Sequence, residues 1–194
     1  MPIELVAIGA SWGGLGALQE ILRALPGDFA ASIVIAQHRS ARSDDMILQS
    51  LLRHSSPLAV RDAEDKDGLV PGCVLIAPPD YHLLVEPGTV ALSCEAPVSF
   101  SRPSIDVLFE SAAVAYGKRL VAVVLTGANA DGAAGLAEVH RRGGVALVQD
   151  PQTAERPEMP LAALRAVPDA EVVALDRLGA RLHEIVGSAP RTAA

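Results

Sequence analysis

The chain has 194 residues, half of them hydrophobic and only 3% aromatic, with a formal net charge of −7 at pH 7. That length suits one domain with a large aliphatic core; the acidic balance and scarce aromatics argue against a nucleic-acid partner, which needs Lys and Arg for phosphates and rings for stacking. No apolar run approaches the ~20 residues that span a bilayer and no charged-then-apolar leader precedes the first strand, so no membrane insertion and a cytoplasmic location are expected.

Leu5–Ala10 reads as a buried strand, and Leu15, Leu18, Ile21, Leu22 and Leu25 then recur at helical spacing until Pro26-Gly27 stops the helix. Residues 32–37 form a short apolar strand ending at His38, and a helix is expected from about Ser43 to Arg53, with Asp44 and Asp45 in its first turn. From Pro57 to Ser93 the pattern changes to short strands at residues 58–61, 73–77, 82–86 and 90–92, divided by Asp67-Gly68, Pro71-Gly72 and Pro87-Gly88. Pro-Gly suits a type II turn, so the last two strands are expected to pair as a hairpin. The whole stretch reads as a β-rich insertion.

Alternation then resumes. Helices at 104–116, 132–142, 161–166 and 177–186 alternate with strands at 120–125, 145–149 and 171–175. The expected fold is three-layer α/β/α: a mostly parallel, doubly wound, Rossmann-like sheet carrying an antiparallel hairpin insertion. One domain is expected over residues 1–187, with 188–194 as a flexible tail. Cys73 and Cys94 lie in apolar strand-like contexts without a C-x-x-C pair and read as buried small hydrophobes.

Three strands end in polar residues where an open α/β sheet places its ligands. The first leads into Gly9-Ala10-Ser11-Trp12-Gly13, which has the G-x-S-x-G spacing of a nucleophile elbow and lacks the second glycine of a dinucleotide loop. The second strand ends at His38, and the third leads to Asp131. A serine hydroxyl needs a base to take its proton, and the base needs a partner to fix its tautomer; Ser11, His38 and Asp131 supply those three types. Each has a plainer reading. Ser11 and Asp131 precede helices and suit N-caps, and His38 suits an ordinary histidine at a strand end. If those readings hold together, the chain is a non-catalytic, anion- or partner-binding Rossmann-like module. His54, His140 and His183 read as surface residues and His82 as structural. None of the five histidines sits at a metal-ligand spacing, so no metal or other cofactor is expected.

The residues also carry a family resemblance. Ile8-Gly9-Ala10-Ser11-Trp12-Gly13-Gly14 is similar to the I-G-A-S-T-G-G of the CheB family, the chemotaxis protein-glutamate methylesterases. Gln37-His38 resembles that family's Q-H, and Arg102-Pro103-Ser104-Ile105-Asp106-Val107-Leu108-Phe109 its R-P-S-V-D-V-L-F. Thr126-Gly127 with Asp131-Gly132-Ala133-Ala134-Gly135 resembles T-G-x-x-x-D-G-A-x-G. The resemblance spans Val6 to about Ala166 and places the family's Ser-His-Asp triad on Ser11, His38 and Asp131. It implies hydrolysis of glutamate methyl esters on the cytoplasmic helices of methyl-accepting chemoreceptors, and often glutamine deamidation. The expected oxyanion donors are the backbone N–H groups of Trp12 and Ala128.

The sequence departs from the family at Trp12, Ala128, Asn129 and Glu158, next to or near the expected site. The departures bear on substrate preference. Family members commonly carry an N-terminal receiver domain, whereas this chain begins directly at the catalytic strand. Gating by a separate response-regulator chain, or constitutive activity, is therefore expected.

Overall fold

In the computed structural model, which describes residues 2–39 and 45–187, a sheet of seven parallel strands runs in the order β3-β4-β2-β1-β7-β8-β9. Its strands are β1 (Leu5–Ala10), β2 (Ser32–Gln37), β3 (Ala59–Asp62), β4 (Cys73–Ile76), β7 (Leu120–Val124), β8 (Val145–Gln149) and β9 (Glu171–Val173). The helices are α1 (Gly14–Ala24), α2 (Asp45–Ser55), α3 (Ile105–Tyr116), α4 (Ala133–Arg141), α5 (Glu158–Ala166) and α6 (Leu175–Val186). The expected starting residues Ser43 and Asp44 of α2 and the expected tail at 188–194 lie outside the described residues.

The strand period of two sorts the aliphatic core into two layers. Leu5 and Ala7 of β1 face the cluster formed with α3, α4 and α5, while Val6 and Ile8 face the cluster formed with α1, α2 and α6. Strands buried on both faces need no polar alternation, which is why β1, β2 and β7 read as continuous apolar runs.

Strands β5 (His82–Glu86) and β6 (Thr89–Ser93) form a separate antiparallel hairpin. Its turn is Pro87-Gly88, with Gly88 at φ +82° as a type II turn requires. The hairpin lies against α3: Ser111 Oγ accepts from the Val85 N–H and the Tyr116 hydroxyl from the Gly88 N–H.

The region 57–93 is therefore not one β-rich insertion. Strands β3 and β4 belong to the main parallel sheet, and only β5 and β6 stand apart. The segment joining β3 to β4 has no helix; it bonds the hairpin instead, through Lys66 N–H to Val90 O and Leu69 N–H to Gly88 O. Short strands with turn signals look alike in sequence whether they pair parallel or antiparallel. The cysteines also correct expectation, since Cys94 is exposed and Cys73 only half-buried, both as free thiols. No helix among the described residues is long and apolar enough to cross a membrane.

Candidate active site

Strand β1 is the centre of the sheet; the chain leaves it through α1 for β2 on one side and later enters β7 on the other side from α3. The sequence resumes across β1 at β7, so a crevice opens at the carboxyl ends of β1, β2 and β7. Pairing continues to the strand tips: the Ser11 N–H donates to Thr126 O at 3.0 Å and the His38 N–H to Ala10 O at 2.9 Å. Register alone thus brings three distant stretches to one rim.

There, His38 Nδ1 lies 3.2 Å from Ser11 Oγ, and His38 Nε2 lies 2.7 Å from Asp131 Oδ2. The His38 side chain is 12% exposed and that of Asp131 is fully buried. An ionised carboxylate only accepts, so Nε2 carries the proton toward Asp131 and Nδ1 presents its lone pair to Ser11. The ring is turned the opposite way from the serine-protease arrangement, in which Nε2 faces the serine. Either ring nitrogen can serve as the base when the other is held as a donor.

Neither Ser11 nor Asp131 caps the helix that follows it. The N-caps of α1 and α4 are Gly13 and Gly132, both left-handed and neither making a side-chain cap bond. The reading of these two side chains as mere caps of their own helices is thereby corrected. Glycine takes the left-handed conformation without penalty, so the turn does not need the polar side chain.

Asp131 instead reaches a helix from elsewhere in the chain. Its Oδ2 accepts the Ile105 N–H at 2.7 Å, and its Oδ1 accepts the Asp106 N–H at 3.0 Å and the Ser104 hydroxyl at 2.9 Å. Ser104 caps α3 in turn, accepting from the Val107 N–H. Burial raises the Asp131 carboxyl, but the His38 ring and the N–H groups of Ile105 and Asp106 outweigh it and hold it below the ordinary range. Asp106 Oδ1 accepts the N–H groups of Gly132 and Gly135 at 2.9 and 2.8 Å, at the start of α4. Burial pushes its carboxyl up to about 6, opposed by those N–H groups and helped by the charge on Asp131. Below about pH 6 the proton therefore sits on Asp106, and the carboxylate facing His38 stays an anion.

Gly9 makes this possible. A Cβ there would lie 2.2 Å from Ile105 Cγ2, so any side chain at position 9 would lift the start of α3 off the sheet.

Gln37 ties the serine and histidine backbones together, its Nε2 donating to Ser11 O at 2.8 Å and to His38 O at 2.9 Å. Thr126 does the same on the other side: its hydroxyl donates to Trp12 O at 2.9 Å and accepts the Arg156 N–H at 2.8 Å. Asn129 Nδ2 stands 3.5 Å from His38 Nδ1, at the outer limit of a hydrogen bond, and Asn129 Oδ1 accepts the Asp131 N–H.

Ala128 is exposed on the loop between β7 and α4, and Trp12 is exposed at the bend. Among the described residues, the backbone N–H groups of Trp12 and Ala128 have no acceptor, unlike that of Ser11. These two free donors lie on the loops that follow β1 and β7. A cavity of about 470 Å³ adjoins His38, lined by Arg39, Asp80, Phe100 and Arg102 among others.

The remaining histidines fall outside the site. His82 is buried and structural, accepting the Ser104 N–H, while His54 and His140 are exposed. His183 is half-buried, with its Nδ1 enclosed, rather than a plain surface residue. Among the described residues, no group of three or more His, Cys, Asp or Glu could hold a metal ion.

In the sequence Ser104 and Asp106 are visible only as part of a motif, and no spacing or turn signal marks the roles of Gln37 and Thr126. A serine followed by an acid in a first turn is a capping signal. It does not reveal that a distant carboxylate shares the same helix end.

The profile described as "CheB methylesterase" matches residues 6–182. A Leptospira interrogans protein named "Putative protein-glutamate methylesterase/protein-glutamine glutaminase" is 45% identical, the match covering 92% of this chain and 92% of that protein. "Protein-glutamate methylesterase FrzG" of Myxococcus xanthus is 39% identical over 95% of this chain, but the match spans only 55% of that protein. Among solved structures, the "CheB methylesterase catalytic domain" of Thermotoga maritima superposes with a TM-score of 0.90 at 32% identity, covering 96% of this chain and 100% of that one.

Proposed function

The chain belongs to the CheB methylesterase family, and from that premise we propose that it hydrolyses glutamate methyl esters on protein, with Ser11 as nucleophile, His38 as general base and acid, and Asp131 as the anchor of His38. The observation that supports these roles most is the continuous chain of contacts, 3.2 Å from Ser11 to His38 and 2.7 Å from His38 to a buried Asp131.

In this reading His38 Nδ1 takes the Ser11 proton as Oγ attacks the ester carbonyl. Asp131, kept anionic, stabilises the imidazolium that forms. The oxyanion rests on the Trp12 and Ala128 N–H groups, with the positive end of α1 behind it. The tetrahedral intermediate collapses, the C–OCH₃ bond breaks, and methanol leaves with the proton from His38. A water then gives its proton to His38, attacks the acyl-serine, and releases the glutamate carboxylic acid and Ser11. With glutamine the same course expels ammonia, matching the second activity in the relative's name.

The substrate this reading assigns is a methyl-accepting chemoreceptor, on its cytoplasmic helices, in chemotaxis or a related signalling adaptation. A response regulator on a separate chain is the partner it adds.

The test is methanol release from a methylated receptor cytoplasmic fragment, wild type beside Ser11→Ala. Wild type is expected to release methanol and the variant to fall by about 10⁴-fold or more in kcat. No methanol from folded wild type would overturn the assignment.

A further inference from the structure

The chain has one Trp, two Tyr and three Phe. Phe29, Phe109 and Tyr116 are in the core, as aromatic side chains with this much apolar surface ordinarily are. Trp12, Tyr81 and Phe100 are not, and of these three Trp12 follows Ser11 directly and stays 61% exposed. An exposed indole on a turn would ordinarily sample several rotamers. This one is held. Its Nε1–H donates to Glu155 Oε1 at 2.7 Å, and the Arg156 guanidinium sits 5.6 Å from the ring centroid. The loop that carries both partners is fixed to the same bend through Thr126, whose hydroxyl links Trp12 O with the Arg156 backbone, and through the Gly127 N–H to Arg156 O. The Glu155 side chain also occupies the space beside Gly13, where a Cβ would lie 2.7 Å from its Oε2.

We propose that Trp12 is a specificity-determining residue: a platform pre-ordered by Glu155 and Arg156 that receives an apolar side chain lying one turn away from the esterified glutamate on a helical substrate. The inference rests on the esterase reading and deepens it. The geometry of a helix motivates the occupant. Side chains at i±3 and i±4 lie about 5–6 Å from residue i, so a helix offering an ester to Ser11 presents a neighbour at the adjacent wall. A tryptophan offers a contact area on the order of 150–250 Å². Because its rotamer is fixed before binding, little conformational entropy is lost on contact, and Trp is among the residues enriched at binding hot spots. A small ester lacks the neighbouring turn and gains nothing from the platform.

The experiment compares two kcat/KM values in one preparation: methanol release from a folded, methylated receptor helical fragment, and hydrolysis of p-nitrophenyl acetate. Their ratio is the readout. In Trp12→Ala the ratio is expected to fall by about 10-fold or more, chiefly through KM for the fragment. Glu155→Ala, which frees the indole without removing it, is expected to lower the ratio by about threefold. Glu155→Gln keeps an acceptor for the indole N–H and is expected to restore it. A ratio in Trp12→Ala within about twofold of wild type overturns the inference while methanol is still released. If Trp12→Ala does not fold, the Glu155 pair decides, and equal ratios in both overturn it. Wild type that turns over p-nitrophenyl acetate but releases no methanol from the fragment overturns the esterase reading itself, and this inference with it.

Discussion

Asp131 and Asp106 cap each other's helices. Asp131, just before α4, accepts the Ile105 and Asp106 N–H groups at the start of α3, and Asp106, on α3, accepts the Gly132 and Gly135 N–H groups at the start of α4. Two helix ends lock together, and the carboxylate facing His38 is fixed from behind by backbone that cannot rotate away.

The pair carries a pH signature. The Asp106 carboxyl is raised to about 6 from an ordinary 3.8, so the folded chain holds this proton more tightly than the unfolded one. Its contribution to stability is then full below about pH 4 and is lost as the pH rises through about 6. Asp106→Asn keeps an acceptor oxygen for both glycines and has no proton to lose. Relative to wild type, its urea midpoint should rise steadily between pH 4 and pH 7. Parallel midpoint profiles for the two proteins would contradict the assignment.

Asp131→Asn should be costly twice over. Whichever oxygen becomes the N–H₂, it faces a backbone N–H, that of Ile105 or of Asp106, and where it replaces Oδ2 it also faces His38 Nε2 and invites the opposite tautomer, with a proton on Nδ1 toward Ser11. A wrong tautomer in a serine triad costs about 10⁴-fold in kcat, and a buried N–H left without its acceptor costs about 1–3 kcal/mol. Methanol release and urea unfolding on the same sample read the two effects separately. A variant with wild-type rate would show that the carboxylate does not set the tautomer.

Gln37→Leu separates positioning from stability. The substitution removes the two bonds to Ser11 O and His38 O, but it also removes Gln37 Oε1, which is buried without a partner. Those changes offset one another, so stability should stay within about 1 kcal/mol of wild type. The rate should nonetheless fall by about 10-fold or more, since small misplacements of reacting groups are expensive. Equal losses in rate and stability would mark Gln37 as a packing residue.

Gly9→Ala tests the approach of α3. The added methyl meets Ile105 Cγ2 at 2.2 Å, and overpacking of this kind costs about 1–3 kcal/mol. Ile105→Ala removes the clashing carbon, so the double variant should be more stable than the sum of the two single losses predicts. Strict additivity would show that the two positions do not press on one another.

The main sheet was legible because its strands are buried on both faces and leave unbroken apolar runs between helical periods. Ser11 and His38 were legible for a related reason: Ser11 is the first polar residue after such a run and His38 follows one next to Gln37, at the end of the sheet where ligands bind. The 57–93 region misled because pairing partners are chosen by tertiary contact. Nothing local in Ala59–Asp62 or Cys73–Ile76 says that they extend the parallel sheet while His82–Glu86 does not. The helix-cap readings of Ser11 and Asp131 failed because glycines at 13 and 132 already make those turns. The mutual capping by Asp106 and Asp131 spans 25 residues of sequence. No periodicity or turn signal encodes it.

The most direct test of the account is covalent. A fluorophosphonate reacts with a serine only when a base has activated it, and mass spectrometry of the peptide containing Ser11 reports the adduct. Wild type should be labelled at Ser11, and His38→Ala, with an unfolding free energy within about 1 kcal/mol of wild type, should label slower by about 10³-fold or more. No adduct on folded wild type, or equal labelling rates in the two proteins, would contradict the claim that Ser11 and His38 act together.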